Sequence, residues 1–208
     1  MEGSCPFVSL GSLAYWLELF PGEPFWRWPS LLGEVLEVAE VRGDFVLLAE
    51  GVVAHCSARV SSSAFLRPPL LLGARCTVGN CCEVKNSILL DGATVAHLNY
   101  VGDSVLGVGA HLGAGAVLSN LRLDGQSVRI QLPAGPRDTG MRKLGAFLAD
   151  GAQVGCNAVL QPGTVLGRGA IVWPCLAYGG FLPAGAVAAP AEPPVIAAGK
   201  STRAAGAV

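Results

Sequence analysis

The chain contains three histidines, His55, His97 and His111, and histidine is the side chain best suited to exchange a proton near neutral pH. His97 stands in the run Val95-Ala96-His97-Leu98-Asn99-Tyr100-Val101-Gly102-Asp103, between aliphatic positions, where an imidazole needs a reason. Arg67 and Lys85 are 18 positions apart. If that spacing is one structural repeat, the two cations stack on one edge and suit a shared anion such as phosphate. Lys85 precedes His97 by 12 positions, so all three line one groove if an adjacent subunit supplies part of its wall.

Other chemistries find less support. The histidine spacings, 42 and 14, match no zinc pattern, and Cys5, Cys56, Cys76, Cys81, Cys82, Cys156 and Cys175 form no CxxC pair, so no metal is expected. Scattered thiols in apolar surroundings read as buried small hydrophobes of a reducing compartment. Cys156, with no histidine near it in sequence, reads as packing rather than as a nucleophile. No GxxxxGK[ST] loop is present, and Gly113-Ala114-Gly115 suits a tight corner. Backbone N–H groups of that corner are expected to face a developing oxyanion.

The elements that position these residues are legible as a repeat. Aliphatic residues recur every six positions: Val60, Leu66, Leu72, Val78, Val84; then Leu89, Val95, Val101; then Leu106, Leu112; then Leu148, Val154, Leu160, Leu166, Val172. Helices repeat at 3.6 and strands at 2.0, so neither alone gives six. A parallel β-helix does: each hexapeptide is one flat side with its aliphatic residue inward, and three sides make a coil of 18. Stacked coils are then ~4.8 Å apart. Glycine follows the aliphatic residue at Gly73, Gly79, Gly113, Gly155 and Gly167, where corners belong. The period stops between about 120 and 147, a stretch rich in charge and turn residues, so a loop or hairpin protrudes there.

The expected fold class is therefore all-β, with residues 1–43 as an N-terminal helical cap, 44–187 as the β-helix with its insertion near 121–147, and 188–208 as an Ala/Pro-rich tail. Leu31, Leu32, Val35, Leu36, Val38 and Ala39 fall at helical spacing after a Pro29-Ser30 start, and Gly43 stands at the stop. This helix is expected over an open end of the core.

Composition agrees. Glycine is 28 of 208 residues, about twice the ordinary share. Mean hydropathy is +0.50, which excludes disorder, yet no apolar run is long enough for a membrane span. Fourteen basic and 15 acidic residues give a net charge of −1, so neither nucleic acid nor a membrane surface is an expected partner. The N-terminus lacks a basic segment and a cleavage site, so no signal peptide is expected, and the cytoplasm is the expected compartment.

At this point two stretches carry a resemblance. EVKNSILLDGATVAHLNYVGDSVLGVGAHLGAGAVLSNLRLDG resembles the acetyltransferase domain of bacterial bifunctional N-acetylglucosamine-1-phosphate uridylyltransferases. DTGMRKLGAFLADGAQVGCNAVLQPGTVLG is similar to the corresponding domain of archaeal sugar-1-phosphate nucleotidylyltransferase/acetyltransferases. The resemblance covers about residues 60–187, with HLNYVGD and GAG in register. It implies a left-handed β-helix, a homotrimer with sites between subunits, and acetyl-CoA as co-substrate. It further implies His97 as general base, Arg67 and Lys85 on a sugar phosphate, and Tyr100 and Asn120 on the sugar. Ala114, Gly115, Cys156 and Pro174 fall at acetyl-CoA-contacting positions.

His111 and Leu121 stand where the bacterial pattern has Asn and Tyr, and Gln126 and Arg129 where the archaeal pattern has two Lys. The nucleotide loop of the nucleotidyltransferase half has no counterpart in residues 1–59, so uridylyl transfer is not expected, and a separate nucleotidyltransferase stays open as a partner. The implied activity is N-acetylation of an amino-sugar phosphate. Its rivals are acetylation of a nucleotide-linked amino sugar and a non-catalytic binding trimer.

Overall fold

Aliphatic side chains at a six-residue period can all leave water only if each short side folds onto the one below. The computed structural model, which describes residues 23–38 and 44–191, shows that arrangement as a left-handed parallel β-helix of hexapeptide repeats. On side I, Leu66, Val84, Val101, Leu118, Leu160 and Tyr178 are successive Cα partners. Side II stacks Leu72, Leu89, Leu106, Leu148, Leu166 and Leu182. Side III stacks Val60, Val78, Val95, Leu112, Val154 and Val172. These columns, with the alanines between them, form one buried core.

The expected coil of 18 holds at the bottom, as in Val60 to Val78, and again above the insertion, as in Val154 to Val172, but not between. Arg67 lies under Lys85 as its Cα partner, but the residue over Lys85 is Gly102, 17 positions on. One residue is missing from the corner between sides I and II, which explains why the sequence period breaks after Val84 and after Val101. Asn86 (φ +45°) and Asp103 (φ +49°) make that shortened corner in the left-handed conformation, a region that Asn and Asp tolerate better than other side chains. The buried hydroxyls behind them brace it. Ser87 donates to Lys85 O (2.6 Å) and accepts from Ser104 N–H (3.1 Å), and Ser104 donates to Gly102 O (2.7 Å).

Gly113 is glycine for a different reason. A Cβ there would lie 2.6 Å from the Cys156 nitrogen of the next coil.

Two additions cover side II. A 3-10 turn, Phe25–Arg27, leads into α1, Trp28–Val38. Phe25, Trp28 and Leu32 pack with Leu71, Ile88, Val105 and Phe147, the outward residues of side II. The helix thus lies along a flank, not over the open end, because side II presents a continuous apolar outer face. It also starts earlier than expected: Ser30 is inside the first turn and donates to Arg27 O (2.7 Å). The Gly43 stop and the tail beyond 191 lie outside the described residues.

The insertion leaves the same shortened corner, one coil above Asp103. It contains an antiparallel hairpin, Arg129–Leu132 with Gly135–Asp138. Rather than protruding throughout, its base folds back: Val128, Ile130 and Leu144 join the flank cluster, and Leu144 N–H closes on Asn120 O at 2.9 Å.

The thiols divide differently from expectation. Of the six described, Cys76 and Cys82 are buried, while Cys56, Cys81, Cys156 and Cys175 are exposed. Cys81 and Cys175 occupy left-handed corner positions, and Cys156 immediately precedes another at Asn157, where side chains leave the core.

Burial pushes the Cys76 thiol up to about 12. A folded value above the ordinary ~8.5 means that its contribution to stability is complete below that pH and fades as pH rises toward about 12. A thiol reagent at pH 8 is expected to label the four exposed cysteines quickly, and Cys76 only as fast as the protein unfolds. Leu106→Ala, cutting a side chain of zero exposure, is expected to cost about 2–5 kcal/mol in urea unfolding.

Candidate functional site

Two corners of the coil carry the polar residues singled out above, and they are different corners. The first lies between sides III and I. Its turn residues, Leu98 (φ +55°), Gly115 (+72°), Asn157 (+56°) and Cys175 (+58°), are all left-handed. The residues just before them are His97, Ala114, Cys156 and Pro174, one per coil. Coil-to-coil bonds hold this column: Gly115 N–H to His97 O (2.9 Å), Asn157 N–H to Ala114 O (2.9 Å) and Cys175 N–H to Cys156 O (2.9 Å).

Asn99, buried behind the corner, accepts from His97 N–H (3.1 Å) and donates to Gly113 O (2.8 Å) and Ala116 O (3.2 Å). The His97 ring itself is exposed and makes no hydrogen bond among the described residues. The Gly113 and Gly115 amides, expected at an oxyanion, are both spent in the coil, on Val154 O (2.7 Å) and His97 O. Of the three residues at that turn, Ala114 keeps an N–H without an acceptor among the described residues. Gly115 therefore serves the backbone, and Ala114 is the residue that presents itself.

The second corner, between sides I and II, holds Arg67, Lys85 and Asn120, with Tyr100 reaching it from side I. The stacked cations are not bare. Arg67 pairs with Glu83 at 2.6 Å, which holds the guanidinium above its ordinary pKa. Lys85 pairs with Asp103 at 3.0 and 3.3 Å. Asp103 also accepts from Asn86 (2.7 Å) and from Asn120. Burial, then the Asp103 and Glu83 charges, push the Tyr100 phenol upward, so it stays a neutral donor at any physiological pH.

Glycine at 102 makes room for this cluster: a Cβ there would lie 2.6 Å from Asn120 Nδ2 and 2.7 Å from Tyr100 Oη. Glu83, Asn86, Gly102 and Asp103 were not singled out from the sequence. The usable signal was Asn86, Asp103 and Asn120 at intervals of 17, which a strict period of 18 conceals.

The remaining histidines stand apart. His111 is exposed on side III, beside Thr94 and Gln153. His55 sits at the lowest coil, its Nδ1 accepting from Ser57 N–H at 3.1 Å, with Nε2 3.8 Å from Asp44. Among the described residues no group of three His, Cys, Asp or Glu could hold a metal ion, and no helix is long and apolar enough to cross a membrane.

A family model described as GMPPB C-terminal domain matches residues 48–133. A bifunctional sugar-1-phosphate nucleotidylyltransferase/acetyltransferase of Sulfurisphaera tokodaii is 36% identical over 112 residues, 54% of this chain and 28% of that protein. Bifunctional protein GlmU of Methanocaldococcus jannaschii is 35% identical over 104 residues, 50% of this chain and 25% of that one. The chain thus spans about a quarter of the length of these relatives.

Among solved structures, the acetyltransferase domain of PglB from Neisseria gonorrhoeae with acetyl coenzyme A aligns at 21% identity and TM-score 0.37, over 64% of this chain and 52% of that one. GDP-perosamine N-acetyl transferase from Caulobacter crescentus aligns at 25% identity and TM-score 0.35, over 64% and 50%. Over about half its length the chain is homologous to bifunctional nucleotidylyltransferase/acetyltransferases.

The second corner yields a prediction of its own. Gly102→Ala is expected to displace Tyr100 and Asn120 while leaving the aliphatic columns whole. Its crystal structure should show those two side chains moved, with thermal stability lowered by only a few degrees.

Proposed function

We propose that this protein is an acetyl-CoA-dependent N-acetyltransferase acting on an amino-sugar phosphate of the glucosamine-1-phosphate type, as a cytoplasmic homotrimer. The observation that carries this reading is the division of polar residues between two corners. A stacked pair of cations with Tyr100 and Asn120 stands on one edge of side I, and a column of His97, Ala114, Cys156 and Pro174 stands on the other.

Within one chain these halves are too far apart for a single sugar. His97 stands before the Leu98 corner and Gly102 five residues on, at the far end of side I, on the order of 10–15 Å away at strand rise. Lys85, under Gly102, turns its ammonium toward Asp103, on the side away from His97. An amine and a phosphate on neighbouring carbons of one sugar ring are much closer together than that. A complete site therefore pairs the His97 edge of one subunit with the Lys85 edge of another. Side II, covered by α1 and the hairpin, leaves sides I and III for such packing.

In that site Arg67 and Lys85 bind the phosphate, Tyr100 and Asn120 hold the sugar, and the donor lies along Ala114, Cys156 and Pro174. Remote binding energy brings the amine to the thioester. The amine nitrogen attacks the carbonyl carbon, His97 takes its proton, and the C–S bond breaks to release CoA, whose thiolate recovers that proton. The Ala114 N–H is the donor available to the oxyanion. No covalent enzyme intermediate and no metal is required.

One observation favours the second reading, a non-catalytic trimer that binds a sugar phosphate. Both cations already have carboxylate partners, and no described residue hydrogen-bonds the His97 ring.

The discriminating experiment incubates the protein with acetyl-CoA and a panel of amino-sugar phosphates and UDP-amino sugars, following thiol release. A protein blank is essential, because four described cysteines are exposed. Release with an amino-sugar phosphate supports the proposal, release only with UDP-amino sugars moves the acceptor to the nucleotide-linked class, and no release leaves the binding trimer. His97→Ala is expected to lower kcat by 10²-fold or more with oligomer size unchanged; near-normal turnover removes His97 from the mechanism.

A further inference from the structure

We infer that Asp103 is a positioning residue of this site, and that it sets which face of the Asn120 carboxamide an acceptor meets. This rests on the proposed acetyl transfer and deepens it. Asp103 is only 4% exposed, yet its carboxylate gathers three donors from two other coils: Lys85 Nζ (3.0 Å) and Asn86 Nδ2 (2.7 Å) from below, and Asn120 Nδ2 from above. An ionised carboxylate only accepts. Both carboxamides must therefore turn their NH₂ groups toward it, and the polarity of Asn120 is fixed by chemistry.

The Tyr100 hydroxyl lies on the same side of the corner, since a Cβ on Gly102 would meet both Tyr100 Oη and Asn120 Nδ2. What remains is Asn120 Oδ1, an acceptor with no donor among the described residues. An acceptor molecule suited to this corner carries an N–H or O–H next to its anionic group. An amino sugar with a phosphate on the adjacent carbon does so, whereas a deoxy sugar phosphate with neither amine nor hydroxyl at that position has no donor to offer.

The backbone ties Asp103 to the same corner. Gly145 N–H donates to Asp103 O at 2.8 Å, and Leu144 N–H to Asn120 O at 2.9 Å, so the root of the hairpin is tied to the backbone of both residues. Asp103 touches no substrate in this scheme; it acts through Lys85 and Asn120.

Asp103→Asn tests this, because it keeps shape but brings donors against donors. The expected result is a rise of ~10-fold or more in KM for glucosamine 1-phosphate, the order of one lost charge-assisted bond, with KM for acetyl-CoA changed less than twofold. An unchanged acceptor KM with a lowered melting temperature would overturn the inference and leave Asp103 a structural residue. If Asp103→Asn does not fold, Asn86→Ala, which removes one of the three donors, is read by the same split: a KM rise confined to the acceptor supports the inference, and a fall in stability alone rejects it.

Wild-type turnover is measured alongside, so that the two ideas fail separately. Absence of wild-type acetyl transfer defeats the functional proposal. Calorimetric binding of glucosamine 1-phosphate then judges Asp103 alone, with ~10-fold weakening in Asp103→Asn supporting it and equal affinity rejecting it.

Discussion

Each coil of this β-helix exists only because the coil beneath it supplies hydrogen-bond partners and a floor of aliphatic side chains. That constraint gives the outward residues fixed places. With the inner columns of Leu, Val and Ala buried and in register, every exposed side chain occupies an address set by side, coil and distance from a corner. Histidine at one address and two cations at another are then held by a core that tolerates little movement. The low charge of the chain belongs to the same picture: few ionised groups are present, and Arg67 and Lys85 pair with Glu83 and Asp103.

The columns were legible in the sequence because burial of an aliphatic every six residues is a strong, repeated signal. Arg67 under Lys85 was legible too, since the corner between Leu66 and Leu72 keeps its full six residues. One coil higher the arithmetic changes. Asn86 and Asp103 turn the corner in one residue fewer, so counting 18 on from Lys85 lands on Asp103 where Gly102 is the partner. Asp103 was hidden by that slip rather than by any weakness of chemistry: Asn86, Asp103 and Asn120 share one address at intervals of 17.

Other departures have local causes. The helix lies on a flank because the outward residues of side II, Leu71, Ile88, Val105 and Phe147, are apolar, a second stripe offset by one from the core columns and easily absorbed into them. The hairpin lies down for the same reason. The corner glycines invite an oxyanion reading from sequence alone. Only the coil-to-coil ladder reveals that Gly113 and Gly115 have no N–H to give, while Ala114 does.

The account turns on the two halves of the site belonging to different subunits. Mixing two variants measures this directly. His97→Ala lacks the base edge and Lys85→Ala the anion edge, so each alone is expected to be nearly inactive with acetyl-CoA and glucosamine 1-phosphate. Refolded or co-expressed together, they form mixed oligomers in which some interfaces join an intact His97 edge to an intact Lys85 edge. The account predicts that activity returns on mixing, to a substantial fraction of the wild-type value. Mixed oligomers that form but stay as inactive as either parent would contradict it, placing both edges of the site within one chain.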